Sequence, residues 1–421
     1  HINLLAVSAT IPNGAQLAQW IRQIHQRPVD VIEETHRPVP LTILFHCQNK
    51  ILKTTQELKQ LGYLNRNDWR QWRPSHRYGQ RNPLHPNRID TLLHELQERD
   101  RLPCIFFTFG RRRAEELAWE ISGRSLLAEP ERAALRTMFD ELCARFGLTH
   151  DRSVEALGRL IDRGIAFHHA GMLPTVKEVI ERCFTSRLIK LIVTTETFAL
   201  GVNMPARSVV LDTLKKRADS GFELLRRRQF LQMAGRAGRR GMDEAGFVYV
   251  RVNPQHIAHP ELLHLLNTPP EPVHSRFNTT YATLLNLYRR HGRSLLNVFP
   301  NTLYYFQTSG PRRQAGLELM ERKLDLLDAM GYLIPPPVSR PAGPIPACGG
   351  ETGGGMTPTT LTEKGMFASW LYGYELLLTE LNARQRLADL DAVALAVLLG
   401  AIVFEPRPRS EPPKAHRLSK R

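Results

Sequence analysis

Residues 232–241 read Gln-Met-Ala-Gly-Arg-Ala-Gly-Arg-Arg-Gly and place two arginines, Arg236 and Arg239, three positions apart. If the segment opens a helix, that spacing is close to one turn and both guanidinium groups can face one side. The planar fork of donors on arginine matches the oxygens of a phosphoryl group in transfer. Small residues at Ala234, Gly235, Ala237 and Gly238 leave room for a facing surface to approach. The same string also reads as a glycine-rich turn with solvated arginines, and by itself it leaves both readings open.

Other segments carry residues of the same chemical kind. Upstream, Leu191-Ile-Val-Thr-Thr-Glu is an apolar strand emptying into a Thr-rich loop that contains Gly201 and Asn203. Earlier still come Phe167-His-His-Ala-Gly-Met-Leu-Pro and Ile105-Phe-Phe-Thr-Phe-Gly-Arg-Arg-Arg, and Ser8-Ala9-Thr10 stands near the start. Between the strand and the arginine pair, Val209 to Lys216 leads through Asp219-Ser-Gly221 into Phe222-Glu-Leu-Leu. A turn tripeptide between half-apolar runs predicts a β-hairpin. Arg226-Arg-Arg228 reads as a solvated or backbone-contacting face.

These groups need a scaffold, and the apolar pattern supplies one. Up to about residue 250, short β-branched runs alternate with helical periodicity, the pattern of an α/β parallel sheet with helices on its faces. Strands are expected at Ile2–Val7, Cys104–Thr108, Ile165–Phe167, Leu188–Val193, Ser208–Leu211 and Gly246–Val250, with helices over Arg111–Ile121 and Thr175–Phe184. Asn65–Asn87 lacks a sustained period and reads as an exposed connection. Past Asn267-Thr-Pro-Pro-Glu-Pro the periodicity turns helical over Phe277–Arg290 and Arg313–Met330. A Pro/Gly-rich stretch, Pro335–Pro358, precedes a last helical region, Leu361–Leu399, and a basic tail, Glu405–Arg421.

Composition narrows the partners. The 421 residues carry 57 Lys and Arg against 41 Asp and Glu, a net charge of +16, with 42% hydrophobic residues. Such a chain is globular rather than fibrous or disordered, with length for about two to four domains. Nucleic acid is the first partner to consider, because each cation that neutralises a phosphate releases condensed counterions. A merely basic surface accounts for the charge equally well. Five scattered cysteines without a C-x-x-C pair indicate neither zinc nor a disulfide framework and fit a reducing, cytoplasmic setting. The longest apolar run, Ala392–Phe404, falls short of the roughly 20 residues needed to cross a bilayer, so no membrane association is expected.

Taken as an ordered set, these motifs resemble those of superfamily 2 helicases, specifically the C-terminal part of a superkiller-type (Ski-like) DExH-box helicase. The resemblance covers Ser8 to about Leu399. It implies the end of a first RecA-like lobe over 1–39, with Ser8-Ala9-Thr10 as motif III, and a second RecA-like lobe over 40–265. Ile105–Arg111 would be motif IV, Val193–Asn203 motif V and Gln232–Arg239 motif VI. A winged-helix domain over 266–335, a linker over 336–360 and the start of a helical ratchet bundle over 361–404 would follow, before the tail at 405–421.

By the same resemblance, Arg236 and Arg239 would be arginine fingers to the γ-phosphate of ATP, with Gln232 at the nucleotide or attacking water. Gly201 and Asn203 would lie against ribose and phosphates. Thr195, Glu196, Thr108, Gly110, Arg111 and His169 would face the nucleic-acid backbone, and Ser8 and Thr10 would couple the lobes. Related helicases split the duplex with a hairpin where Lys215, Lys216 and Phe222 stand, although an ordinary surface hairpin fits equally. Gly110 departs from the family's usual Ser or Thr, leaving the backbone N–H groups and the Arg111 side chain to hold an oxygen.

No G-x-x-x-x-G-K-[ST] loop and no DExH tetrad occurs in the sequence. The family carries both in the first lobe, together with most Mg²⁺ ligands, so the expected partners are that lobe and an RNA or DNA strand with a duplex fork. The reading is a 3′-to-5′ ATP-dependent helicase of which this chain alone is inactive. A non-catalytic nucleic-acid-binding scaffold, one RecA-like lobe plus a winged helix, is the alternative.

Overall fold

The computed structural model describes residues 5–8, 11–34, 36–61, 87–149, 151–201, 204–218, 221–334 and 361–403. Two compact units result, one formed mainly by Glu33–Glu271 and the other by Asn13–Ile32 with the chain from Pro272 onward.

In the first unit the strands are β1 (Leu41–Cys47), β2 (Lys50–Leu52), β3 (Cys104–Thr108), β4 (Ile165–His168), β5 (Leu191–Thr195), β6 (Ser208–Leu211), β7 (Lys215–Ala218), β8 (Gly221–Leu224) and β9 (Gly246–Arg251). Among the described residues, a seven-stranded sheet runs β2-β1-β9-β6-β3-β5-β4, and β7 with β8 forms a separate antiparallel ribbon. Only the β1–β2 pairing in the large sheet is antiparallel. Every residue of β3 and β6 is buried, so both faces of the central sheet are covered, as continuous apolar runs in parallel strands require. The helix Arg111–Ile121 follows β3 and buries Ala114, Leu117, Ala118 and Ile121, an i, i+3, i+4, i+7 stripe. Each fully buried leucine of this kind contributes about 2 kcal/mol of apolar transfer.

The expected α/β lobe is therefore present, with differences in detail. Strand β5 starts at Leu191 rather than Leu188, and β1 and β2 lie outside the expected set. Leu5–Val7, the described part of the strand expected at Ile2–Val7, forms no strand; Leu5 and Val7 are exposed and pair with no strand among the described residues. Of the connection expected at Asn65–Asn87, only Asn87 is described, and it is a suture rather than a surface residue. Its Nδ2 donates to the His46 carbonyl at 2.9 Å and the Val252 carbonyl at 2.8 Å, tying the ends of β1 and β9. The unit also extends past residue 265, because the helix His259–Asn267 buries Leu262 and Leu265 in the same core.

His46, on β1, is fully buried, and neither ring nitrogen has a hydrogen-bond partner among the described residues. Burial, with the nearby Arg251 charge, pushes its pKa down to about 4 from 6.5. Protonation therefore favours the unfolded chain: stability is full above pH 6.5 and declines as the pH falls toward 4, by up to about 3 kcal/mol. Urea unfolding from pH 7.5 to 4.5 is expected to show this decline. His46→Leu should flatten it, and an unchanged pH slope in that variant would reject the assignment.

The second unit is helical. Leu284, Leu285, Tyr288, Leu295, Phe299, Leu324 and Leu327 share one core with Leu333, Leu361 and Ala368. Leu333 and Leu361 pair in an antiparallel bridge, and Thr362 N–H donates to the Tyr332 carbonyl at 3.2 Å. The expected linker at 336–360 lies outside the described residues, yet its flanks meet in this core. Asn286 Nδ2 donates to the Ser369 carbonyl at 3.0 Å, fixing the helix Glu363–Trp370 to the helix Tyr281–His291. That contact places the start of the expected ratchet segment in the core of the expected winged-helix domain. Likewise Asn13–Ile32 belongs to this unit: Trp20 Nε1 donates to the Asn301 carbonyl at 3.0 Å, and Asn13 exchanges hydrogen bonds with Val273.

Candidate nucleotide and nucleic-acid site

Parallel sheets bind ligands beyond the carboxyl ends of their strands. In the first unit Thr108 and Thr195, the last residues of β3 and β5, are register partners, and His168 ends β4 beside Thr194. Thr108, Gly110, Arg111, His169, Thr195 and Glu196 are thereby gathered on one edge of the sheet. The ribbon bearing Lys215 and Lys216 leaves the same edge after β6.

Within this group the residues differ in what they can offer a phosphate. Thr108 is fully buried and its hydroxyl donates to the Gly110 carbonyl at 3.4 Å. His169 is buried, stacked on Phe167 at 5.6 Å, and both of its ring nitrogens are engaged. Nδ1 accepts from Gly171 N–H at 3.1 Å, which leaves Nε2–H to donate to Glu115 at 2.8 Å. Neither side chain faces solvent, contrary to expectation. Gly110 is the N-cap of the Arg111–Ile121 helix and no side chain caps its first turn, so the backbone N–H groups of that turn point outward with the helix dipole behind them. Of the adjacent arginines, Arg112 is paired with Glu116 at 2.7 Å and Arg113 with Asp212 at 3.4 Å. Arg111 is exposed and makes no ion pair among the described residues; its stem lies against Gly171, where a Cβ would come 3.2 Å from Arg111 Cδ.

Lys215 and Lys216 are both neutralised within the chain. Lys215 Nζ binds Glu261 at 2.9 and 3.0 Å, and Lys216 Nζ binds Glu196 at 3.0 and 3.2 Å. Thr195 Oγ1 lies 3.1 Å from Thr197 Oγ1. Phe222, on β8, is 77% exposed, an apolar ring held out from the ribbon.

The backbone that carries the arginine pair is bridged to the opposite edge, ahead of β6. The helix Arg227–Ala234, which carries the half-buried Gln232, stops before Arg236, so the two arginines do not share a helical face. The helix stops because the next residues enter the sheet: Ala237 bridges Ala206 ahead of β6, with Ala206 N–H donating to the Arg236 carbonyl at 2.9 Å and Gly238 N–H to the Ala206 carbonyl at 2.8 Å. Gly238 adopts φ +84°, a left-handed backbone that glycine supplies without strain. Arg37 clamps the segment, its Nη2 donating to the Ala237 carbonyl at 2.7 Å and the Gly235 carbonyl at 3.2 Å.

Each arginine has its own anchor. Arg236 Nη2 donates to the Ala199 carbonyl in the short helix Phe198–Gly201. Burial lowers the Arg236 pKa below its ordinary value. Arg239 is gripped by Asp243: Nε donates to Oδ2 at 2.8 Å, Nη2 to Oδ1 at 2.7 Å, and the Arg239 N–H to Oδ2 at 2.8 Å. Burial by itself would raise the Asp243 carboxyl; these hydrogen bonds and charges outweigh it and hold the group below the ordinary carboxylate range. A guanidinium has five donors, so three of those on Arg239 have no partner among the described residues. Asp243 was not among the expected residues, though an acid four positions beyond an arginine is a spacing signal. Glu271, which caps the Arg227–Ala234 helix by accepting from Arg227 N–H at 2.8 Å and Arg228 N–H at 3.0 Å, has no comparable signal.

Asn203 and Thr10 lie outside the described residues, and Ser8 is exposed. Among the described residues no cluster of three His, Cys, Asp or Glu side chains is arranged for a metal. No helix among them is long and apolar enough to cross a membrane.

Residues 140–241 match the helicase conserved C-terminal domain, a stretch that contains His169, the Thr195 to Gly201 loop, the ribbon and the arginine pair but not Thr108 to Arg111. The chain is 32% identical over 361 residues to human "Superkiller complex protein 2", covering 79% of this chain and 29% of that protein. It is 30% identical over 327 residues to human "Exosome RNA helicase MTR4" (73% and 30%) and 30% identical over 344 residues to Schizosaccharomyces pombe "ATP-dependent RNA helicase mtr4" (76% and 30%). The chain thus spans less than a third of the length of these relatives. With the parallel-sheet lobe and the ordered motifs, these matches place the chain in the superkiller-type DExH helicases of superfamily 2, where it carries the helicase C-terminal domain.

Proposed function

We propose that the chain is the second-lobe part of an ATP-dependent RNA helicase that translocates 3′ to 5′. The observation that carries this reading is the Gln232–Arg239 segment, wedged against the sheet with the Arg239 guanidinium already aligned by Asp243 and three of its donors without a partner among the described residues. Preorganised cations of this kind act on charge that develops on a transferring phosphoryl group, and they do so only when a facing lobe delivers the nucleotide. Arg236 and Arg239 then hold the γ-phosphate oxygens, while Gln232, with Gly201 and Asn203, lines the nucleotide.

Nucleic acid runs along the other edge of the same sheet. The uncapped N-terminus at Gly110–Arg111, the Arg111 side chain and the Thr195 loop grip its backbone without reading bases. Phe222 and the ribbon meet the duplex fork. The second unit contributes a winged-helix domain around Tyr281–Leu333 and the first helices of a ratchet bundle beyond Glu375. RNA is preferred over DNA because two of the relatives named above are RNA helicases.

The experiment compares this chain with a longer protein that adds a P-loop and DExH lobe, using ATP hydrolysis and matched RNA and DNA duplexes with 3′ or 5′ overhangs. RNA-stimulated hydrolysis and unwinding from a 3′ overhang are expected of the longer protein only. This chain should bind RNA weakly, with affinity falling as salt rises. ATP turnover by this chain alone, or unwinding only from 5′ overhangs, would overturn the reading.

A further inference from the structure

The ribbon is clamped on both of its faces. Successive residues of a strand point to opposite sides, so Lys215 and Lys216 leave β7 in opposite directions, one to Glu261 and the other to Glu196. Glu196 lies in the loop between β5 and the Phe198–Gly201 helix. Its carboxylate accepts from Lys216 Nζ through both oxygens and also from Gln229 Nε2 at 3.4 Å. One side chain therefore joins the ribbon, the loop and the helix that leads to Arg236. Three residues further on, the Ala199 carbonyl accepts from Arg236 Nη2. A contiguous chain of contacts, Lys216 to Glu196, along the loop to Ala199, then to Arg236, connects the exposed ribbon with a phosphate-directed arginine inside a single compact unit.

Glu196 also has the wrong charge to grip a phosphate backbone, and its oxygens are already committed to a cation and an amide. Its chemistry suits a tie rather than a contact. Resting on the helicase reading, we infer that Glu196 is a positioning residue which, through Lys216, makes the ribbon move with Arg236, so that nucleotide-driven displacement is transmitted to the strand-separating hairpin. A double-mutant cycle measures the Glu196–Lys216 link, and the ratio of unwinding to hydrolysis measures what it transmits.

The cycle is run in the longer protein on an RNA duplex with a 3′ overhang, reading base pairs opened per ATP hydrolysed. Glu196→Gln and Lys216→Gln are each expected to lower that ratio about fivefold, and the double variant should fall no further than the lower single, because both break one contact. A role in folding alone would reduce hydrolysis and unwinding together and leave the ratio unchanged, which would overturn the inference. So would additive losses, which assign the two side chains to separate contacts. Failure of the helicase reading shows elsewhere, as an unsubstituted protein without RNA-stimulated hydrolysis, and it would remove this inference as well.

Discussion

Arg239→Ala in the longer protein is expected to lower kcat for RNA-stimulated ATP hydrolysis by about 10³-fold, the lower end of what an arginine finger supplies. The loss falls on kcat because the guanidinium acts on charge that develops during transfer, not on ground-state affinity. The structure adds a complication that the experiment must separate. Asp243 is 2% exposed, and with Arg239 gone its nearest remaining cation is Arg207, whose Nε lies 3.8 Å away. Removing one partner of such a pair strands a buried charge and costs on the order of 3 kcal/mol. In the wild-type protein the depressed Asp243 pKa adds stability that is present above the ordinary carboxylate value of 3.8 and is lost as the pH falls below it. Arg239→Ala forfeits that contribution at neutral pH. Adding Asp243→Asn removes the stranded charge, so the double variant should regain most of the urea midpoint while kcat stays low. If kcat recovers along with stability, Arg239 serves the fold and the finger assignment fails.

What could be read from the sequence was whatever depends on local pattern. Strands β3 and β6 and the helix Arg111–Ile121 match their expected bounds because continuous apolar runs and an i, i+3, i+4 stripe report burial directly. The ribbon was legible from its turn tripeptide, and the family from the order of its motifs. Features set by distant chain were not. The arginine spacing suggested a helical face, but Ala206 captures Ala237 from some thirty residues away and ends the helix first. Lys215 and Lys216 look like free cations until Glu261 and Glu196 are brought to them, and His169 looks accessible until Glu115 and Gly171 close on it. The Pro/Gly-rich stretch suggested a boundary between domains, yet Leu333 and Leu361 on its flanks meet in one core, a pairing that local composition does not encode.

Gly246→Ala is expected to be the most damaging small substitution in the first unit. Gly246 opens β9 and donates its N–H to the Pro40 carbonyl at 2.8 Å. A Cβ there would stand 2.6 Å from the Ala237 carbonyl carbon, 2.7 Å from its oxygen and 2.7 Å from Gly238 N. All three are backbone atoms held by the hydrogen bonds to Ala206 and by Arg37, so no rotamer change relieves the clash. Either β9 or the Ala237–Gly238 segment must shift, and the second shift carries Arg236 and Arg239 with it. A loss of about 3 kcal/mol or more is expected from urea unfolding, in the range of severe overpacking. Gly241→Ala supplies the control: Gly241 has φ +75° but nothing within 4 Å of a Cβ, so it should lose only the left-handed backbone penalty of about 1 kcal/mol. If Gly246→Ala loses no more than Gly241→Ala, the close approach of β9 to the arginine segment is not what fixes those side chains. If it loses several-fold more, and hydrolysis by the longer protein falls with it while Gly241→Ala remains active, then the positions of Arg236 and Arg239 depend on the absence of a single methyl group at the start of β9.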